Sequence, residues 1–91
     1  MQLPPESGDR FSIGRAAGCD FTVADESVSR WHARLQRQGD GWLLCDLGST
    51  NGTRLNGWRV TAEVPVLAGD HVTFGSVTFV VTDRAMSTAP D

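Results

Sequence analysis

The feature that most constrains this chain is its punctuation. Short stretches rich in β-branched and aromatic residues, several with apolar–polar alternation, are each ended by Gly, Asp or Asn, and no stretch holds a 3.6-residue apolar period over a helical length. Strands are therefore expected at Phe11–Ile13, Phe21–Val23, His32–Arg37, Trp42–Leu47, Thr53–Leu55, Trp58–Val60, Val72–Phe74 and Val77–Val81. Gln38-Gly39-Asp40-Gly41 has hairpin-loop chemistry, and Asn51-Gly52, Asn56-Gly57, Gly69-Asp70 and Gly75-Ser76 are further tight-turn signals. Many short strands at near-regular spacing point to an all-β, antiparallel sandwich.

The 91 residues allow one domain, expected over 1–83, with the small, polar and proline-containing segment 84–91 as a flexible tail. No apolar run approaches the roughly 20 residues of a membrane span. The opening residues carry Pro, Glu and Asp where a secretory leader needs a basic start and an apolar stretch, so membrane insertion is not expected and a cytoplasmic location is. The net charge of −3 argues against general attraction to nucleic acid, so any anion site must be local. Every basic residue is arginine, whose planar fork of donors suits phosphate, although codon bias in a GC-rich bacterium explains an absence of lysine equally well. Cys19, Cys45, His32 and His71 do not have the spacing of a zinc site, and no cofactor, metal or disulfide is expected.

Four clusters stand out, three of them in loops: Gly14-Arg15, Ser29-Arg30-Trp31-His32, Gly48-Ser49-Thr50-Asn51-Gly52-Thr53, and Gly69-Asp70-His71-Val72-Thr73-Phe74-Gly75. In order and spacing these resemble the forkhead-associated (FHA) family, whose pattern runs from an apolar strand into Gly-Arg, then Ser-Arg-x-His, then Asp-Leu-x-Ser-x-Asn-Gly-Thr, then Gly-Asp-x-apolar-x-Phe-Gly. The match spans residues 11 to 81, with Asp46 opening the third element. The resemblance implies an eleven-strand β-sandwich that binds phosphothreonine peptides with loops at one end. It assigns phosphate contact to Arg15, Ser29, Arg30 and Thr50, peptide main-chain contact to Asn51, and architectural roles to Gly14, His32 and Gly52. About ten residues precede Phe11, including Pro4-Pro5, so the family's first strands are expected to be shortened or missing.

Such a module would recruit phosphorylated partners in Ser/Thr kinase signalling, as a monomer when isolated and without catalysis. Phosphothreonine brings close to two negative charges and three acceptor oxygens, so a pocket needs several convergent donors, some of them charged. Each assignment has a plainer rival. The arginines fit an ordinary solvated surface, Ser29 a turn cap, Thr50 a local Ser/Thr turn, and Asn51-Gly52 a type I′ turn. Ser29-x-x-His32 also invites a hydrolase reading, but neither an orienting acid nor an oxyanion hole can be placed. Trp42 is expected in the core, with Trp31 and Trp58 partly exposed and Trp58 able to flank a ligand. His71 is expected on a strand surface. Val28 and the aliphatic stem of Arg30 are candidate walls for a threonine methyl group. The same loop end could instead bind an unphosphorylated protein surface.

Overall fold

Side-chain alternation builds the interior. In the computed structural model, which describes residues 10–38, 41–82 and 86–88, β1 (Arg10–Gly14) buries Phe11 and Ile13. The short β2 (Phe21–Thr22) buries Phe21, β3 (Ala33–Gln38) buries Ala33 and Leu35, and β4 (Gly41–Asp46) buries Leu44. After β5 (Thr53–Leu55), β6 (Trp58–Arg59) and β7 (Val64–Val66), β8 (His71–Phe74) turns Val72 and Phe74 inward. Next β9 (Val77–Val81) buries Phe79 and Val81, and β10 (Met86–Thr88) ends the set. The described residues contain no helix.

The strands form two five-stranded sheets, β2-β1-β3-β4-β7 and β10-β9-β8-β5-β6. Every pairing is antiparallel except β1 with β2. Ile13, Leu44, Val66, Val72 and Phe74 are fully buried between the sheets. Each such side chain contributes about 1.5–3 kcal/mol by leaving water. Phe74 sits where the core meets the loop end, tilted against Phe79 at 6.0 Å and edge-on to His32 at 5.7 Å between ring centroids.

The chain changes sheet between β4 and β5, and the functional loops follow from that crossing. Asn56 (φ 51°) and Gly57 (φ 87°) make the β5–β6 hairpin, with Leu55 opposite Trp58, so this Asn-Gly pair has the positive φ at both central residues that a type I′ turn needs. At Asn51-Gly52 only Gly52 has a positive φ (86°), and the type I′ expectation there is corrected. The β3–β4 hairpin pairs Gln38 with Gly41, its tip residues 39 and 40 lying outside the described set.

Three further expectations need correction. Val64-Pro65-Val66 was not foreseen as a strand, yet it pairs with β4 at the sheet edge, where proline's missing N–H costs no ladder bond. Met86–Thr88, assigned to the tail, pairs with Val81, Val80 and Phe79, because main-chain bonding to a strand needs no apolar pattern of its own. Residues 84, 85 and 89–91 of the expected tail lie outside the described residues, as do 1–9, where the shortened first strands were expected. Trp42 packs edge-on against Phe11 at 5.3 Å at the margin of the core and is only partly buried, with the Arg37 guanidinium 5.4 Å from its ring centre.

Candidate functional site

His32 is fully buried, and both of its ring nitrogens are used. The Ser29 main-chain N–H donates to Nδ1 at 3.0 Å, which puts the ring proton on Nε2, where it donates to the Gly52 carbonyl at 2.9 Å. One side chain thus ties the loop before β3 to the loop before β5. The Gly52 carbonyl also accepts the Gly75 N–H at 3.1 Å, bringing in the β8–β9 turn.

Two glycines let main chains touch at this end. A Cβ on Gly14 would stand 2.1 Å from the Arg30 carbonyl oxygen, and one on Gly75 would stand 2.3 Å from the Ser27 carbonyl oxygen. The segment carrying Ser27, Ser29 and Arg30 is therefore gripped on both flanks. Across the Gly14 side, Arg15 N–H donates to the Ser29 carbonyl at 2.9 Å and Ala16 N–H to the Arg30 carbonyl at 3.1 Å. On the Gly75 side, Ser27 Oγ lies 2.8 Å from Ser76 Oγ and accepts the Ser76 N–H at 2.9 Å. Asp25 closes the loop internally, and donation from the Ser27 hydroxyl and then the Ser27 N–H holds its carboxyl below the ordinary value.

Asp46 organises the second loop. Its carboxylate accepts the N–H groups of Gly48 and Ser49 and the hydroxyls of Ser49 and Thr53. Burial pushes this carboxyl up, but those four hydrogen bonds outweigh it and the net shift is downward. Ser49 Oγ in turn accepts the Gly52 N–H at 3.0 Å, which shapes the bend that carries Thr50 and Asn51.

On this frame the residues singled out from the sequence converge. Ser29 Oγ accepts the Thr50 N–H at 3.0 Å from the other loop, which is more than capping a turn, and its own hydroxyl hydrogen has no protein acceptor among the described residues. Thr50 is exposed, and its hydroxyl makes no local Ser/Thr-turn bond among those residues. Arg15 is exposed and anchored by Nε to the Val28 carbonyl at 3.1 Å, which leaves its terminal nitrogens without a protein acceptor in that set. The Arg30 side chain is likewise exposed, while its carbonyl accepts the Cys19 thiol at 3.2 Å. Burial, the largest influence on that thiol, keeps Cys19 above its ordinary value. Asn51 donates from Nδ2 to the Ser27 carbonyl at 2.8 Å, which leaves Oδ1 as an acceptor.

One expectation fails here. Val28 is 1 % exposed and belongs to the core, so it is no wall of a surface niche. The Ser29–His32 pair is not a nucleophile and its base, since both ring nitrogens bond to main chain and the Ser29 hydroxyl bonds to Thr50. The supporting roles of Asp25, Ser27, Asp46 and Ser49 were not anticipated. Asp46 and Ser49 were in view as motif positions without a role, while for Asp25 and Ser27 the signal was the recurrence of Ser and Asp between strands, which also fits ordinary turns.

The FHA domain family model matches residues 11–75, which include every residue of this network except Ser76. The chain belongs to the FHA family. This FHA domain is 44 % identical over 63 residues to the FHA domain-containing protein FhaB of Mycobacterium tuberculosis, a match covering 69 % of the chain and 41 % of FhaB. The chain thus spans less than half the length of that relative. Among solved structures it resembles the FHA-2 domain of the M. tuberculosis ABC transporter Rv1747, with TM-score 0.80, 33 % identity and coverage of 100 % and 81 % of the two chains. It also resembles the N-terminal FHA domain of S. cerevisiae Rad53p, solved in complex with a phosphothreonine peptide, with TM-score 0.64, 33 % identity and coverage of 72 % and 56 %.

Proposed function

We propose that this FHA domain binds a phosphothreonine-bearing segment of a partner protein in Ser/Thr kinase signalling, with Arg15, Ser29, Arg30 and Thr50 around the phosphate. The observation that carries this reading is the state of the two arginines. Neither forms an ion pair among the described residues, where Arg34–Glu63 at 3.7 Å is the one such pair, and both belong to segments that meet at Ser29, whose hydroxyl oxygen accepts the Thr50 N–H. Two permanent charges and two hydroxyls match a dianion with three acceptor oxygens. Asn51 Oδ1 would accept an N–H of the peptide main chain, a contact indifferent to side chains.

Because Arg15 is fixed by Val28, Ser29 by Thr50 and Asn51 by Ser27, the donors are ordered before a ligand arrives, which lowers the entropy lost on binding. The proposed module acts as a monomer and without catalysis. Its proposed setting is the cytoplasm, a reading supported by two free cysteines, Cys19 buried and Cys45 half-buried. No helix among the described residues is long and apolar enough to cross a membrane.

The test is calorimetric titration with a phosphothreonine peptide before and after phosphatase treatment. Binding is expected only before, and Arg15→Ala and Arg30→Ala should each weaken it about tenfold or more, since a hydrogen bond to a charged group is worth about 1.5–3 kcal/mol. Equal binding after treatment would move the function to an unphosphorylated surface. Unchanged affinity in both folded variants would remove the arginines from the pocket.

A further inference from the structure

A second pair of arginines stands beside this pocket. Arg54 on β5 and Arg59 on β6 are direct cross-strand partners, so their side chains leave the same face of the sheet. Both are exposed and neither makes an ion pair among the described residues. Like charges directly opposite one another destabilise a strand pair, and here one of the two strands, β6, is the last of its sheet. An arrangement with that cost suits an anion supplied from outside.

The direction of Arg59 says where the anion comes from. Its guanidinium lies 3.4 Å from where a Cβ of Gly52 would be, so it extends over the residue that follows Thr50 and Asn51. It also walls an open pocket of about 390 Å³ together with Cys45, Asp46, Gly48 and Thr61. The carboxylate in that wall, Asp46, is committed to Gly48, Ser49 and Thr53 and makes no ion pair with Arg59. Next to Arg54 in the same row across the sheet comes Thr73, whose hydroxyl lies 2.8 Å from that of Thr78, so the row reads Arg, Arg, Thr, Thr. It is a cationic and hydroxyl-bearing strip that begins at Arg59, whose guanidinium lies over Gly52, two residues after Thr50.

We propose that Arg59, backed by Arg54, is a specificity site that selects a carboxylate side chain, Asp or Glu, in the same peptide segment that carries the phosphothreonine. This rests on the binding function proposed above. The phosphate group is held by Arg15 and Arg30, and the flanking carboxylate meets Arg59 bidentately, which relieves the repulsion between the two arginines.

The experiment is a walk of Glu against Gln through each position flanking the phosphothreonine of one parent peptide, titrated against the native domain, Arg59→Gln and Arg54→Gln. One position is expected to bind about three- to tenfold tighter with Glu than with Gln. That preference should vanish in Arg59→Gln and shrink in Arg54→Gln, while the Gln peptide binds all three proteins alike. Raising salt should erase the Glu preference before it erases binding of the phosphate, since the strip is open to solvent. Phosphate-dependent binding with no Glu preference anywhere, or a preference that survives in Arg59→Gln, overturns this inference alone. A parent peptide that shows no phosphate-dependent binding overturns the function and this inference together.

Discussion

The space between the sheets and the loop end are held by different forces. Between the sheets, Phe11, Ile13, Leu44, Val72 and Phe74 are placed by burial, which has no direction and needs only apolar volume of about the right size. At the loop end, His32, Ser29, Ser27 and Asn51 are placed by bonds to particular atoms across 20 or more residues of sequence, such as Nε2 of His32 to the Gly52 carbonyl, while Asp46 fixes its own loop through Gly48, Ser49 and Thr53. Damage to the first region should be graded and should appear as lost stability. Damage to the second should disconnect one loop from another and appear first in binding.

The sharpest way to break this contrast is to damage each region at its centre. Phe74→Ala should destabilise the fold by about 3–5 kcal/mol, the range for a buried aromatic replaced by alanine, measured by denaturant unfolding. Where the variant remains folded, its phosphopeptide affinity should be close to native. His32→Ala leaves the Ser29 N–H without its partner, at about 1–3 kcal/mol, and removes one of the two donors to the Gly52 carbonyl, which keeps the Gly75 N–H; it should lower both melting temperature and affinity. If His32→Ala kept native stability and lost all binding, the ring would be a ligand contact rather than a brace. If Phe74→Ala lost affinity in proportion to stability, the two regions would be one cooperative unit.

A smaller effect separates them by pH. Asp46 is half-buried and its hydrogen bonds are partly screened, so its support of the loop is on the order of 1 kcal/mol at neutral pH. Since its folded pKa lies below the ordinary value of 3.8, that support is fully present above the unfolded value and is lost as pH falls through the folded one. Asp46→Asn should therefore be less stable than native at pH 7, and the gap should close below pH 3.8, read from thermal melts across that range. A gap that stayed constant with pH would mean that the loop is held by shape and not by the carboxylate.

The same contrast explains what the sequence made legible. Thr53–Leu55 and Val77–Val81 have the bounds read from the sequence, because each short run is bounded by turn residues on either side, Asn-Gly pairs around the first and Gly-Ser and Asp around the second. The strands Val64–Val66 and Met86–Thr88 escaped because each lies at a sheet edge and is held by the main chain of a neighbour. Trp42 alternates correctly with Leu44, yet lies at the core's margin, since alternation gives a side chain's face and not its depth. At the loop end the motif brought Arg15, Ser29, Arg30, Thr50 and Asn51 into view. The bonds that position them join residues far apart in sequence, and no local pattern reports such pairs. Arg54 and Arg59 became visible as a pair only through the register of β5 on β6.

The smallest expected effect concerns threonine against serine, and it probes whether the loop end also has an apolar component. The two phosphorylated residues differ by one methyl group, and burying it is worth about 0.8 kcal/mol by transfer alone, roughly fourfold in affinity. A preformed niche would add a cavity term for phosphoserine and raise the ratio. The residue best placed in sequence to wall such a niche was Val28, but its side chain is packed in the core and only its carbonyl serves the loop, through Arg15 Nε. Of the two candidate walls that leaves the stem of the exposed Arg30, one that flexes and does not hold a cavity open. Titration of two peptides identical except for phosphothreonine or phosphoserine should therefore give a ratio near fourfold. A much larger ratio would show that a rigid apolar wall other than Val28 takes part, and that packing specifies the loop end as well as the core. Equal affinities would leave a phosphate site whose hydrogen bonds act alone.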